Sequence, residues 1–200
     1  MDTETRKYID SISLKDIPWN RMFTAYGTAE KYGELIPLLE QTTDFEQWEK
    51  TFNAMSDFEH QSTMFPPAPF ALVFLVRILE KILKNDSLDS ITRKLLDICS
   101  YYTDVCEYAE NMEHAEPLSR FPDLLKDENL LLEEYTEDDL MEVFEDPEAI
   151  SDELFYSFYY YSGIVLSQIP DILEPYDRFS EERKKFTRKF DKKDNNILSK

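Results

Sequence analysis

Glycine is nearly absent, with three residues in a chain of 200, far below the usual share of roughly 7%. Hairpin turns, bulges and phosphate-cradling loops draw on glycine's freedom at positive φ, so a sheet-rich fold is disfavoured. Neither a Gly-x-Gly-x-x-Gly fingerprint, a P-loop nor a Gly-x-Ser-x-Gly elbow can be assembled from Gly27, Gly33 and Gly163. Histidine is equally sparse: His60 and His114 stand in no metal-ligand spacing with each other or with a cysteine, which argues against zinc. Carboxylates are plentiful, but none follow the alternating order of a calcium loop, and no glycine is there to make its turn. With so many acids some pair will always resemble a general acid and base, so such pairing carries no information. No catalytic residue, metal or cofactor is expected.

The two cysteines, Cys99 and Cys106, are seven residues apart in a stretch with helical period. That places them on one face but about two turns, roughly 10 Å, from each other, too far for an unstrained disulfide. Two reduced, half-buried thiols in a cytoplasmic protein are the expectation. Long apolar runs are missing too. Phe70 to Val76 is cut off by Arg77, well short of the roughly 20 residues that span a bilayer. Leu154 to Pro170 is uncharged but holds Ser157, Ser162, Ser167, Gln168 and the tyrosines 156, 159, 160 and 161, so it reads as a central buried helix. The opening residues Met1-Asp2-Thr3-Glu4-Thr5-Arg6-Lys7 carry no apolar core of a signal peptide, again pointing to the cytoplasm.

What is present is helical punctuation. Asp16 can cap a helix with Pro18 in its first turn, ending at Tyr26-Gly27. Thr28 can cap a second through Gln41, its stripe being Tyr32, Leu35, Ile36 and Leu39, weakened or kinked by Gly33 and Pro37. Asp44-Phe45-Glu46-Gln47 opens a third, expected to reach about His60, and the Pro66–Pro69 stretch forces an extended break. An apolar helix from Ala68 to Lys84 follows, then a turn at Asn85-Asp86-Ser87. The next stripe is Leu88, Ile91, Leu95, Ile98, Tyr102, Val105 and Tyr108. From about Asn111 the character changes, with a short helix near Leu130 to Phe144 and a tyrosine-rich helix capped by Ser151 or Asp152. Helix pairs joined by short loops are the pattern of an α-solenoid, so an all-α fold of antiparallel pairs, about seven to nine helices, is predicted. One domain covers residues 1–177, with a divergent acidic second half from 111 to 177, and a basic tail at 178–200 is expected to form a turn or two and then be disordered.

Charge is unevenly placed. The chain carries 42 acidic and 22 basic side chains, a net of −20. Residues 101–177 alone hold 22 acids against two bases, while residues 178–200 hold nine bases against four acids. Glu133, Glu134, Glu137, Asp138, Asp139, Glu142, Glu145 and Asp146 crowd a few turns, and like charges at helical spacing cost stability. Two accounts fit: a solubilising face, or a surface that attracts and plugs a basic protein. Nucleic acid and anionic membrane are repelled by it. The basic tail would screen part of the patch or lie free. Tyr156 and Tyr160 stack on one helix face and Tyr161 points elsewhere, so some of these rings should stay exposed for a partner while most pack inside.

Trp19, Ala25-Tyr26-Gly27-Thr28-Ala29, Ile36-Pro37-Leu38-Leu39, His60-Gln61-Ser62-Thr63-Met64-Phe65 and Ala68-Pro69-Phe70 together resemble the opening of a bacterial family of HEAT-like helical repeat proteins. Members of that family often serve as immunity proteins in polymorphic toxin systems. The resemblance covers about a third of the chain and none of residues 85 to 200. It implies a helical scaffold presenting a variable surface to a cognate toxin, with the acidic second half as that surface; the charge favours a basic toxin, such as a nuclease or another nucleotide-acting toxin, and His60, expected at a helix end, reads as structural. A helical-repeat adaptor for an unrelated basic partner is the second expectation, and an enzyme with an unrecognised all-α site a third.

Overall fold

In a computed structural model the chain is described over residues 1–108, 115–145 and 149–197, excepting the side chains of residues 108, 137, 142, 144, 145 and 192–197. The protein is all-α. Its helices are α1 (Thr3–Ser11), α2 (Tyr32–Gln41), α3 (Phe45–Asn53), α4 (Ala68–Ile82), α5 (Asp89–Tyr108), α6 (Glu137–Glu145), α7 (Asp152–Leu166), α8 (Ile169–Leu173) and α9 (Ser180–Ile197). Two minute hairpins interrupt them, β1 (Phe23–Thr24) with β2 (Gly27–Thr28) and β3 (Glu59–His60) with β4 (Thr63–Met64).

α4 organises the core. Twelve of its fifteen residues are buried, and its first nine are apolar all round, so that stretch must be covered on every side. It packs against α2, α5 and α7, while α5 packs against α3, α7 and α9. The pairs α2/α3 and α4/α5 thus pack in chain order, α7 lies against both α4 and α5, and α9 packs on α8 and α5. The first turns follow the capping chemistry of the sequence. Asp44 accepts the Gln47 N–H (2.9 Å) at the start of α3, and Ser151 accepts the Leu154 N–H (3.2 Å) at the start of α7. No described helix is long and apolar enough to cross a membrane. Cys99 and Cys106 are buried and unbridged, and burial pushes the Cys99 thiol up to about 12.

Three expectations are corrected. No helix runs from Asp16 to Gly27; two short 3₁₀ turns lead instead into the first hairpin, and Gly27 sits in its second strand at φ 149, where other residues are strained. α2 starts at Tyr32 without a Thr28 cap, although it does pass through Pro37. The third helix stops at Asn53, because Met55 and Phe58 reach the core through a 3₁₀ turn and leave His60 on a strand.

The tail is a fourth correction. α9 is a continuous helix, and Phe179 and Phe186 are fully buried with Phe190 packed against the same core. Phe186 and Phe190, four residues apart, share one face of α9, and Phe179 lies in the 3₁₀ turn just before it. The basic residues bind it to the body rather than to the acidic segment: Arg178 donates to the Leu83 carbonyl (2.8 Å), Lys189 to the Ser100 carbonyl (2.9 Å), and Glu182 pairs with Arg93 (2.8 Å). At the other end, Arg77 on α4 donates to the carbonyls of Ile12 (2.7 Å) and Ile9, capping α1 with a cation. Phe186→Ala should therefore cost about 3–5 kcal/mol in urea unfolding with one cooperative transition; an unchanged midpoint would show that α9 is not part of the folded unit.

Candidate partner-binding surface

The acidic segment is held on the body by one arginine. Arg21 donates through Nε to the Leu131 carbonyl (2.7 Å) and pairs with Asp127 (2.8 Å), while the Leu131 N–H donates to the Arg21 carbonyl (2.9 Å). Leu131 is buried by this clamp. Four residues further on, the Tyr135 hydroxyl lies 3.5 Å from Thr28 Oγ1, so residues 131–135 run beside Arg21–Thr28 and the first hairpin. Leu132, Glu133 and Glu134, between those two anchors, are all exposed.

Thr136 then opens α6. Its N–H and hydroxyl both donate to Asp139 Oδ2 (2.6 and 2.7 Å), and the Asp139 N–H donates back to Thr136 Oγ1 (3.2 Å). This reciprocal arrangement satisfies the first donors of the helix. Asp139 is thus a capping residue, not an open partner-binding carboxylate, which corrects its expected role. The Thr136 hydroxyl, followed by the Thr136 N–H, holds its carboxyl below the ordinary value of 3.8. Asp138 is exposed, and Met141, three residues on along the same face, is 52% exposed. For Glu137, Glu142 and Glu145 only the helical backbone is described, and Asp146 lies outside the described residues, as does His114.

The tyrosines divide. Tyr156 and Tyr160 stack along α7 with centroids 6.1 Å apart, Tyr156 half-buried and Tyr160 exposed. Tyr161 is buried, stacked on Phe121 (4.8 Å), and its hydroxyl donates to the Leu118 carbonyl (2.5 Å). Tyr159 is buried against the second hairpin. Tyr161, which Tyr160 touches edge-on, is thus anchored at the Leu118–Phe121 loop, whereas the acidic segment is anchored at Arg21–Thr28.

The motif residues of the first eighty positions meet at the two hairpins. Asp57 accepts the hydroxyls of Thr24 (2.7 Å) and Tyr32 (2.6 Å), and its carbonyl accepts the Ala25 N–H (2.9 Å), tying one hairpin to the other. Burial, then the charge of Asp57, drives the Tyr32 hydroxyl far above its usual range. His60 stands half-exposed, with its Nδ1 3.0 Å from the Tyr26 hydroxyl.

Two exposed apolar residues escaped the sequence pattern: Leu132, 66% exposed, and Met141. Leu132 was detectable in principle, since Leu130-Leu131-Leu132 is three apolar residues in a row outside any helix and they cannot all face inward. Among the described residues no group of three or more His, Cys, Asp or Glu side chains is placed to hold a metal ion. No family model, curated protein or solved structure matches this chain.

Because the folded-state carboxyl of Asp139 titrates lower than in the unfolded chain, its capping contribution is complete above the ordinary carboxylate value of 3.8 and fades as pH falls through the lowered one. Amide exchange at Asp139 and Leu140 should accelerate in that acidic window. Asp139→Asn should remove the pH dependence; a dependence that survives the substitution would assign it to another group.

Proposed function

We propose that this chain is an immunity protein, binding and neutralising a cognate toxin of basic character through the surface formed by residues 132–141. One observation carries the proposal: the exposed carboxylates Glu133, Glu134 and Asp138 lie between the exposed apolar side chains of Leu132 and Met141 on a segment clamped to the body at Arg21. A merely solubilising face has no use for exposed leucine and methionine. Apolar anchors ringed by charge are what a protein interface needs, the first for affinity and the second for steering. The resemblance of the first eighty residues to HEAT-like immunity proteins supplies the identity of the partner class. Tyr156 and Tyr160 on α7 are assigned to the same partner as a second contact, since tyrosine brings area and a polar tip at small entropic cost. A basic partner is favoured because acids predominate by 22 to two over residues 101–177.

Expression with the product of the neighbouring toxin gene should restore growth, and the two proteins should co-purify. Reversing Glu133, Glu134 and Asp138 to lysine should slow association on the order of tenfold or more at low salt, with the difference shrinking as salt screens it. Leu132→Ala should instead speed dissociation. No protection by the wild-type chain would dismiss the toxin assignment, and equal association rates at low salt would dismiss the electrostatic one.

A further inference from the structure

The loop of the second hairpin is built against backbone preference. His60 pairs with Thr63, leaving Gln61 and Ser62 as a two-residue turn with φ of 51° and 66°. Such turns normally take asparagine and glycine, because other side chains are strained there. Three hydrogen bonds hold the strained tip: Glu59 Oε1 accepts the Ser62 N–H (2.7 Å), and the Tyr159 hydroxyl donates to the Ser62 carbonyl (3.0 Å) and accepts the Met64 N–H (3.1 Å). Strain maintained by its surroundings is a feature of recognition surfaces.

The rings beside the tip are open to solvent. Tyr26 is 74% exposed and Tyr101 48% exposed. Both hydroxyls are tied to consecutive residues of β3, Tyr26 to His60 (3.0 Å) and Tyr101 to Glu59 Oε2 (3.0 Å). Fixed rings lose little freedom when something lands on them. Beneath them Asp57 and Glu59 are half-buried and hydrogen-bonded by neutral donors alone: Thr24, Tyr32, Tyr101 and the Ser62 amide. Among the described residues neither carboxylate is paired with a lysine or arginine, so no described ion pair neutralises them.

We infer that the hairpin end is a docking surface for a basic segment of a partner protein, with arginine side chains laid on the exposed faces of Tyr26 and Tyr101. Planar guanidinium stacks on an aromatic ring while its charge is drawn to the carboxylates below; lysine gains only the second attraction. The inference relies on the proposed function for one thing, the basic character of the partner. It adds a second anchor at the hairpin tips, next to the acidic segment where Tyr135 meets Thr28.

The test is titration of the isotope-labelled full chain at low salt with a short poly-arginine peptide, and with poly-lysine and oligothymidylate for comparison. Amide shifts should centre on Tyr26–Gly27, His60–Thr63 and the turn of α5 around Tyr101, with arginine preferred over lysine. Tyr26→Ala with Tyr101→Ala should weaken the arginine peptide about tenfold at unchanged melting temperature. Shifts confined to residues 131–141, no preference for arginine, or tighter binding of the oligonucleotide would each overturn the inference. The shift map of the unaltered chain decides the matter even if the double variant folds poorly. The toxin assignment is judged separately, by protection against the neighbouring gene product, so the two can fail independently.

Discussion

A helical stretch that is apolar on every side cannot stand at a surface, and the first nine residues of α4 impose that condition on the whole chain. Burying a single leucine, isoleucine, valine or phenylalanine contributes about 1.5–3 kcal/mol, and α4 carries nine of these among its buried residues. The cover has to come from elsewhere in the sequence: α2 and α5, then α7 from 70 residues further on. α7 is able to serve because its middle presents Leu154, Phe158, Tyr161, Val165 and Leu166 inward. α4 is polar only at Arg77, Glu80 and Lys81, and of these Arg77 reaches the end of α1 and fastens the amino terminus.

That enclosure leaves the acidic segment little part in the core. Between Leu131 and Ile150 the described residues are half-buried at most, and the segment keeps its place through Arg21, Tyr135 and the Thr136–Asp139 cap. Charge repulsion is therefore borne where it costs least, on a stretch whose packing the fold does not need. The basic tail relieves other parts of the molecule, Arg178 pairing with Asp86 and Lys189 with Asp104, while its own Glu182 pairs with Arg93 of α5. The two charged regions do not cancel one another through any described contact, and the carboxylates at 133, 134 and 138 keep their field.

The helices were legible wherever apolar spacing and a capping side chain agreed, as at Asp44 and Ser151, or where prolines marked the start, as at Ala68. Reading failed where helical residues serve another geometry. Trp19 to Thr28 has the composition of a helix, yet Gly27 and the hydrogen bonds to Asp57, more than thirty residues away, turn it into a hairpin. Gln61-Ser62 carries no turn signature at all, since its conformation is fixed by Tyr159, almost a hundred residues distant. In α9 the phenylalanine stripe was visible, but abundant charge outweighed it; the charges turn out to lie on the faces flanking the stripe. Among the candidate carboxylates, exposure could not be told from composition, because Asp139 differs from Asp138 only in having Thr136 three residues before it.

The two native thiols are packed inside α5, and Cys99 stays protonated far above neutral pH. Sulfhydryl reagents will consequently pass over the natural protein. A cysteine introduced on its exterior, at Leu132 or Tyr26 for instance, becomes a unique handle for a spin label or fluorophore without any need to delete the native pair.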